Sequence, residues 1–228
     1  MQSAILQQLN RSRRDRQPVV LYTWLDGSRQ GLYATGTDED ELTTDQLALA
    51  RKALVTNDCQ MDDKGLVFFQ PFNPPLRMFI IGAVHISQSL ANMAQLCGYQ
   101  VTVIDPRQSF ATADRFPGID VVTDWPDKAL QSRQPDNRSA IITLTHDPKL
   151  DDPALQAALV SPAFYIGALG SQKTQRARRT RLEKMGFSDT DQARIHGPVG
   201  LDIGARSPAE IAVAIMGQVT ETLYKDAD

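Results

Sequence analysis

The chain has 228 residues, which is enough for one large α/β domain or for a domain with a smaller module. Its content of 42% hydrophobic and 22% charged residues is typical of a globular protein and excludes the disordered and membrane-spanning classes. A formal net charge of −3 argues against bulk nucleic-acid binding. The first 18 residues lack the apolar core of a signal peptide, so we expect a cytoplasmic protein without a nucleic-acid or membrane partner.

Neither a metal centre nor a disulfide framework is predicted. The two cysteines, Cys59 and Cys97, lie in unrelated contexts and lack a Cys-x-x-Cys spacing. We expect both to be free thiols with a structural role.

Residues 1–75 predict a small α+β domain. An Asp26-Gly27 pair between two short apolar runs is typical of a β-hairpin. Three prolines within residues 71–75 cannot continue a helix or a central strand, so the domain boundary is placed there. The predicted elements are a helix over residues 1–12, strands over Val19–Trp24 and Gln30–Ala34, a helical pattern over Thr43–Val55 and a strand over Leu66–Phe69.

Residues 76–228 predict a Rossmann-like domain, an α/β fold built on a doubly wound parallel sheet. Short apolar runs alternate with helical stretches, which is the pattern of successive βα units. The predicted strands are Met78–Ile81, Val101–Ile104, Val121–Val122, Ala140–Leu144, Phe164–Ile166 and Ile195–Val199. The predicted helices are His85–Cys97, Pro126–Arg133, Pro153–Val160, Gln172–Met185 and Pro208–Tyr224, the last with a capping box from Ser207 to Glu210.

The first turn between strand and helix partly matches a dinucleotide fingerprint. Gly82 lies where the first glycine belongs, but Val84 replaces the second, whose missing side chain normally lets the backbone approach a pyrophosphate. Asp105 closes the second strand, where an acidic residue meets a ribose hydroxyl in NAD-binding proteins. NAD(P) is therefore a weakened candidate. In the alternative interpretation Gly82 only makes a tight turn and Asp105 starts a turn with Pro106.

All three histidines lie in the predicted Rossmann-like domain. His85 follows the first strand, His146 and Asp147 follow the fourth, and His196 falls on the last. In the usual strand order, 3-2-1-4-5-6, the first and fourth strands are neighbours and a ligand crevice opens at their carboxyl ends. An imidazole beside a carboxylate suits acid-base catalysis, hydrogen bonding to a pterin, or metal binding, so His146 and Asp147 are the candidate catalytic residues with their role left open.

A glycine-rich turn after the fifth strand predicts an anion site. Gly167, Gly170 and Ser171 precede a helix whose first N–H groups are free to bind an anion. Lys173 and Arg176 lie near the start of this helix and reinforce the site. The later arginines of the helix are interpreted mainly as a solvated face.

The loop before the last helix contributes two opposite charges, Asp202 and Arg206. They either meet a ligand or pair with each other and organise the loop. The candidate cofactor-binding residues are therefore Gly82, His85, Asp105, His146, Asp147, Gly167, Gly170, Ser171, Lys173, Arg176, Asp202 and Arg206.

Four ordered segments, Phe79–His85, Leu144–Asp152, Ser161–Ser171 and Gly197–Arg206, resemble the xanthine dehydrogenase accessory factor family (XdhC/CoxI). The resemblance implies a maturation factor for molybdenum hydroxylases of the xanthine dehydrogenase type. Such a protein is a non-catalytic chaperone that binds molybdenum cofactor, as molybdopterin or its cytosine dinucleotide form, and delivers it to the apoenzyme. The resemblance further implies an apo molybdenum hydroxylase and a cysteine desulfurase as partners, and a homodimer.

Two departures from the family pattern leave other functions open. The family has Gly-Ala-Gly-His at the first turn, where this chain has Val84, and its longer N-terminal domain carries a Ser-Gly-Gly-Cys motif that residues 1–70 do not match. One alternative is an NAD(P)-dependent oxidoreductase. The other is a regulatory partner protein with a decayed site, in which the basic helix over Lys173–Lys184 is the working surface.

Overall fold

The computed structural model describes residues 3–35 and 42–225. These residues form two compact units, one drawn from residues 1–74 and 224–228 and the other from Pro75–Leu223. Met1 and Gln2, the start of the predicted first helix, lie outside the described residues. In the part of the chain that is described, no helix is both long enough and apolar enough to cross a membrane.

The first unit is an antiparallel sheet of four strands with two helices. Helix α2 begins at a capping box, in which the Thr43 hydroxyl accepts from the Gln46 N–H and the Gln46 side chain accepts from the Thr43 N–H. The unit contains α1 (Ser3–Arg14), β1 (Val19–Trp24), β2 (Gln30–Ala34), α2 (Thr44–Thr56), β3 (Gln60–Met61) and β4 (Val67–Phe72). Its sheet order is β2-β1-β4-β3.

The predicted hairpin is confirmed, with β1 and β2 antiparallel and Val19 opposite Ala34. Two details differ from prediction. The two-residue β3 is too short for a hydrophobic period to reveal, and β4 continues through Pro71 to Phe72. Within the described residues β3 pairs only with Phe68 and Phe69 of β4, so this edge of β4 loses no ladder hydrogen bond at Pro71.

The second unit is a parallel sheet of six strands. Its strands are β5 (Arg77–Ile81), β6 (Gln100–Ile104), β7 (Asp120–Val122), β8 (Ser139–Thr143), β9 (Tyr165–Ala168) and β10 (Ile195–His196). Its helices are α3 (His85–Leu96), α4 (Pro126–Arg133), α5 (Pro148–Leu159), α6 (Gln172–Lys184), α7 (Asp189–Gln192) and α8 (Pro208–Tyr224). The sheet order β10-β9-β8-β5-β6-β7 is the 3-2-1-4-5-6 order counted from β5, which confirms the Rossmann-like prediction.

Helices cover both faces of this sheet, and β5 shows why its sequence is apolar throughout. Successive strand residues point to opposite faces, so Met78 and Ile80 pack in a cluster with residues of α3 and α8. Phe79 and Ile81 pack in a second cluster with residues of α4 and α5. A strand buried on both faces reads as a continuous apolar run, as it does in other parallel sheets.

Two predicted boundaries are wrong. The helix predicted to start at Pro153 starts at Pro148, because Asp147 caps it and Pro148 occupies its first turn, where a missing N–H costs nothing. The strand predicted over Ile195–Val199 is only Ile195–His196, and the Pro198 that follows has no N–H for a ladder bond.

Candidate functional site

Two turns meet at the carboxyl edge of the parallel sheet. β5 and β8 pair in parallel, so the turns that follow them lie side by side. Their approach is close, since a Cβ on Gly82, whose φ is +106°, would lie 2.6 Å from Thr145 Cγ2. His85 is the first residue of α3 and His146 lies in the other turn, and both side chains are exposed. The structure thus places both histidines at one edge of the sheet.

The second turn is held by Thr145. Its hydroxyl accepts from the Asp147 N–H at 3.0 Å and donates to the Asp151 carboxylate at 2.7 Å. His146 has φ +61°, a left-handed conformation that is uncommon for residues other than glycine. The Asp147 carboxylate accepts from the Lys149 N–H at 3.0 Å and caps α5. Within the described residues the His146 imidazole has no hydrogen bond or ion pair, so it forms no acid-base pair with Asp147.

Asp105 lies at the end of β6 and is fully buried. Its Oδ2 accepts from the Ala83 N–H at 2.8 Å and from Arg107 Nη2 at 2.7 Å. Its Oδ1 accepts from the Arg107 backbone N–H at 3.0 Å and from Arg107 Nε at 2.9 Å. Burial alone would raise the pKa of Asp105, but the hydrogen bonds from Arg107 and Ala83 outweigh it and hold the pKa below its ordinary value. The carboxylate is therefore charged and used inside the protein.

Two arginines that the sequence reasoning missed hold the loop after β6. Arg107 forms the bidentate pair with Asp105 and lies 4.6 Å from the centre of the Phe110 ring. Arg115 Nη1 donates to the Ala83 carbonyl at 2.8 Å and to the Phe110 carbonyl at 2.7 Å. The Asp-Pro-Arg run at residues 105–107 was an available signal, because a turn after aspartate brings residue i+2 back to the carboxylate.

A buried network joins the turn after β8 to the turn after β9. Arg178 lies between Asp151, 3.4 Å from its Nη2, and Gln175, 2.5 Å from its Nη1, and it also donates to the Leu169 carbonyl at 3.1 Å. Gln175 donates in turn to the Ala168 and Gly170 carbonyls at 2.9 and 3.3 Å. The interpretation of the later arginines as a solvated face is wrong for Arg178, whose side chain is only 3% exposed.

Burial dominates the electrostatics of this network. It raises the pKa of Asp151, against the opposing Thr145 hydrogen bond and the charge of Arg178. It lowers the pKa of Arg178, against the charges of Asp151 and Asp152. Arg181 holds Asp152 with two hydrogen bonds of 2.5 and 3.0 Å, so a second arginine ties α6 to α5.

The start of α6 is organised as a helix N-terminus with exposed cations. Ser171 is the cap, and its hydroxyl accepts from the Thr174 N–H at 3.3 Å. Gly170 has φ +135°, which few other residues adopt. Lys173 and Arg176 are exposed in the first turns. Gly167, by contrast, lies inside β9, where a Cβ would come within 2.6 Å of Val199 Cγ2.

A groove of ≈ 420 Å³ lies beside this helix start. It is lined on one side by Leu169 and Gln172 and on the other by residues 198–205 and the first turns of α8. Asp202 lines the groove and Arg206 is exposed nearby in sequence. Among the described residues no ion pair joins these two side chains, so pairing with each other does not occupy them.

His196 has a packing role instead. Its ring stacks on Tyr165 with 4.7 Å between ring centres, and the Tyr165 hydroxyl donates to the Gln218 side chain at 2.6 Å. Within residues 3–35 and 42–225, no three His, Cys, Asp or Glu side chains gather as a metal site. Both cysteines are free and exposed.

Comparison with known proteins identifies the family. The model of the XdhC Rossmann domain matches residues 78–219. The chain belongs to the XdhC family. A Bacillus subtilis relative of this XdhC chain, named as a probable xanthine dehydrogenase subunit, is 32% identical over 157 residues. An Escherichia coli relative, named molybdenum cofactor insertion chaperone PaoD, is 31% identical over 158 residues.

The XdhC chain matches only part of these relatives. The aligned regions cover 68% and 69% of this chain but 46% and 43% of the relatives, so it spans less than half of their length. A crystal structure described as a xanthine dehydrogenase from Bacillus halodurans superposes with a TM-score of 0.69 at 21% identity, over 96% of this chain and 64% of that one. This similarity shows a shared fold.

Proposed function

We propose that the chain is a maturation factor for a molybdenum hydroxylase of the xanthine dehydrogenase type, which binds molybdenum cofactor and delivers it to the apoenzyme. The names of the two relatives, a molybdenum cofactor insertion chaperone and a xanthine dehydrogenase subunit, support this role. The cofactor is cargo in this proposal, so the protein needs a site that holds and releases it, not a set of reacting groups.

The groove beside α6 carries the proposal. Its ≈ 420 Å³ lies in the range of small-molecule sites. The first N–H groups of a helix have no intrahelical partner, and together with the exposed Lys173 and Arg176 they suit the phosphate of a pterin cofactor. Leu169, Leu201 and Ile211 give the groove apolar walls for a planar ring.

The turns after β5 and β8 supply the second part of the proposed site. His85 and His146 are exposed at this edge, and a histidine ring nitrogen donates or accepts a hydrogen bond as the ligand requires. We place the ring system of the cofactor toward these histidines and Asp147, and its phosphate at Gly170 and Ser171. Binding of the molybdopterin or the cytosine dinucleotide form, an apo hydroxylase and a cysteine desulfurase as partners, a homodimer and a cytoplasmic location stay predictions.

The proposed phosphate site is tested by replacing its two cations. We expect Lys173→Ala/Arg176→Ala to weaken binding of molybdenum cofactor by about tenfold, because two charges near the phosphate are lost. The measurement is an anaerobic titration followed by optical absorption, with transfer of the bound cofactor to an apo hydroxylase as a second readout.

A matched control lies on the same helix. Lys184 is exposed at the far end of α6, about 18 Å from its start, so Lys184→Ala should leave the affinity unchanged. Equal affinity in the wild type and the double variant would contradict a phosphate site at this helix start.

A further inference from the structure

The subsite that recognises a ribose in dinucleotide-binding Rossmann domains lies at the end of β6. In those proteins an acidic side chain at this position accepts hydrogen bonds from a ribose hydroxyl. Here the position holds Asp105, beside the first turn and the Ala83 N–H. Sequence position alone would therefore assign Asp105 to a nucleotide.

The acceptors of this carboxylate are already filled. An ionised carboxylate offers about four lone-pair directions, and Asp105 receives four hydrogen bonds of 2.7 to 3.0 Å, three of them from Arg107 and one from Ala83. The Asp105 side chain has no exposed surface. A ribose hydroxyl would find neither a free acceptor nor access to one.

Neighbouring contacts hold Arg107 in this position. Its guanidinium lies against the Phe110 ring, and Arg115 ties the Phe110 carbonyl to the Ala83 carbonyl across the loop. Moving Arg107 away would leave a buried carboxylate with one hydrogen bond, which is costly for a charged group. The pair is therefore a stable part of the site and not a lid that a nucleotide displaces.

We propose that Arg107 is a specificity-determining residue of the crevice, which closes the ribose subsite by filling the Asp105 carboxylate and so excludes nicotinamide dinucleotides. The ligand of the crevice is then one that presents no ribose diol at the end of β6. This inference is independent of the proposed cofactor and separates the chain from NAD(P)-dependent oxidoreductases that share its strand order.

The test is a gain of binding in the full chain. We expect the wild type to bind NAD⁺ with a Kd weaker than about 1 mM in calorimetry. Arg107→Ala frees three of the four hydrogen bonds to Asp105, and we expect NAD⁺ to bind at least about tenfold more tightly. Adding Asp105→Asn to Arg107→Ala should abolish the gain, because the recognising carboxylate is then missing.

Two further variants secure the result. Arg107→Lys preserves a charge with fewer donors and serves if Arg107→Ala does not fold. Arg133→Ala removes an arginine whose ion pair with Asp120 lies at the amino-terminal end of β7, and it should gain no NAD⁺ binding. A wild type that binds NAD⁺ as tightly as the Arg107 variants, folded variants that gain nothing, or a wild type that prefers NADP⁺ through Arg107 would each overturn the inference.

Discussion

At the residue scale, position in the fold could be predicted from the sequence, but side-chain partners could not. Gly82, His85 and His146 were expected at one edge because strand order decides which turns are neighbours. Asp105 was expected there too, but its bonding to Arg107 depends on how the loop after β6 turns back. That direction is set by tertiary contacts from Arg115, which lies ten positions beyond Asp105.

The first prediction concerns the stability that Asp105 provides. In Asp105→Asn an amide NH₂ would face the guanidinium of Arg107, leaving buried donors unpaired. We expect the free energy of unfolding to fall by about 2 kcal/mol in urea denaturation. Asp120→Asn, in an exposed ion pair with Arg133, is the control and should cost below about 1 kcal/mol. Equal losses in both variants would contradict the buried pair.

The same variant predicts a pH dependence. The pKa of Asp105 is held below its ordinary value of 3.8, so the folded state binds the proton less tightly than the unfolded state. The stability from Asp105 is then fully present above this value and is lost as pH falls through the lowered pKa. The difference between wild type and Asp105→Asn should be constant over roughly pH 5 to 7 and shrink below about 3.8. A difference that grows on acidification would contradict the assignment.

At the element scale, helix α6 combines two faces that its composition does not distinguish. Lys173, Arg176 and Arg179 are exposed, whereas Arg178 is buried against α5 and the turn after β9. A run of basic residues predicts a solvated face, and only the position of α5 shows which arginine turns inward. The early start of α5 had a readable signal in Asp147-Pro148, but Pro153 was taken as the helix start instead.

The second prediction tests the link between these helices. Arg178→Met leaves Asp151 buried without its cation and should lower the free energy of unfolding by about 3 kcal/mol. Asp151→Asn/Arg178→Met removes both charges, and its loss should be smaller than the sum of the single losses by about 1 kcal/mol or more. Arg179→Met, on the exposed face, should change stability by less than about 0.5 kcal/mol. Additive single losses would mean that the two residues act separately.

At the scale of the whole molecule, the strand order and the two covered sheet faces could be predicted from alternating apolar and helical runs. The groove could not, because its walls come from segments about 30 to 45 positions apart, Leu169 and Gln172 against residues 198–205 and α8. Family membership rests on the Rossmann unit, residues 78–219. The fold itself is shared with many oxidoreductases, so the choice between carrier and enzyme depends on the crevice.

The most direct test of that choice is a side-by-side anaerobic titration of the wild-type chain with molybdenum cofactor and with NAD(P)⁺, followed by optical absorption and calorimetry. The account predicts saturable binding of molybdenum cofactor and a Kd for either dinucleotide weaker than about 1 mM. Tight dinucleotide binding without cofactor binding would contradict it and identify the crevice as that of an oxidoreductase.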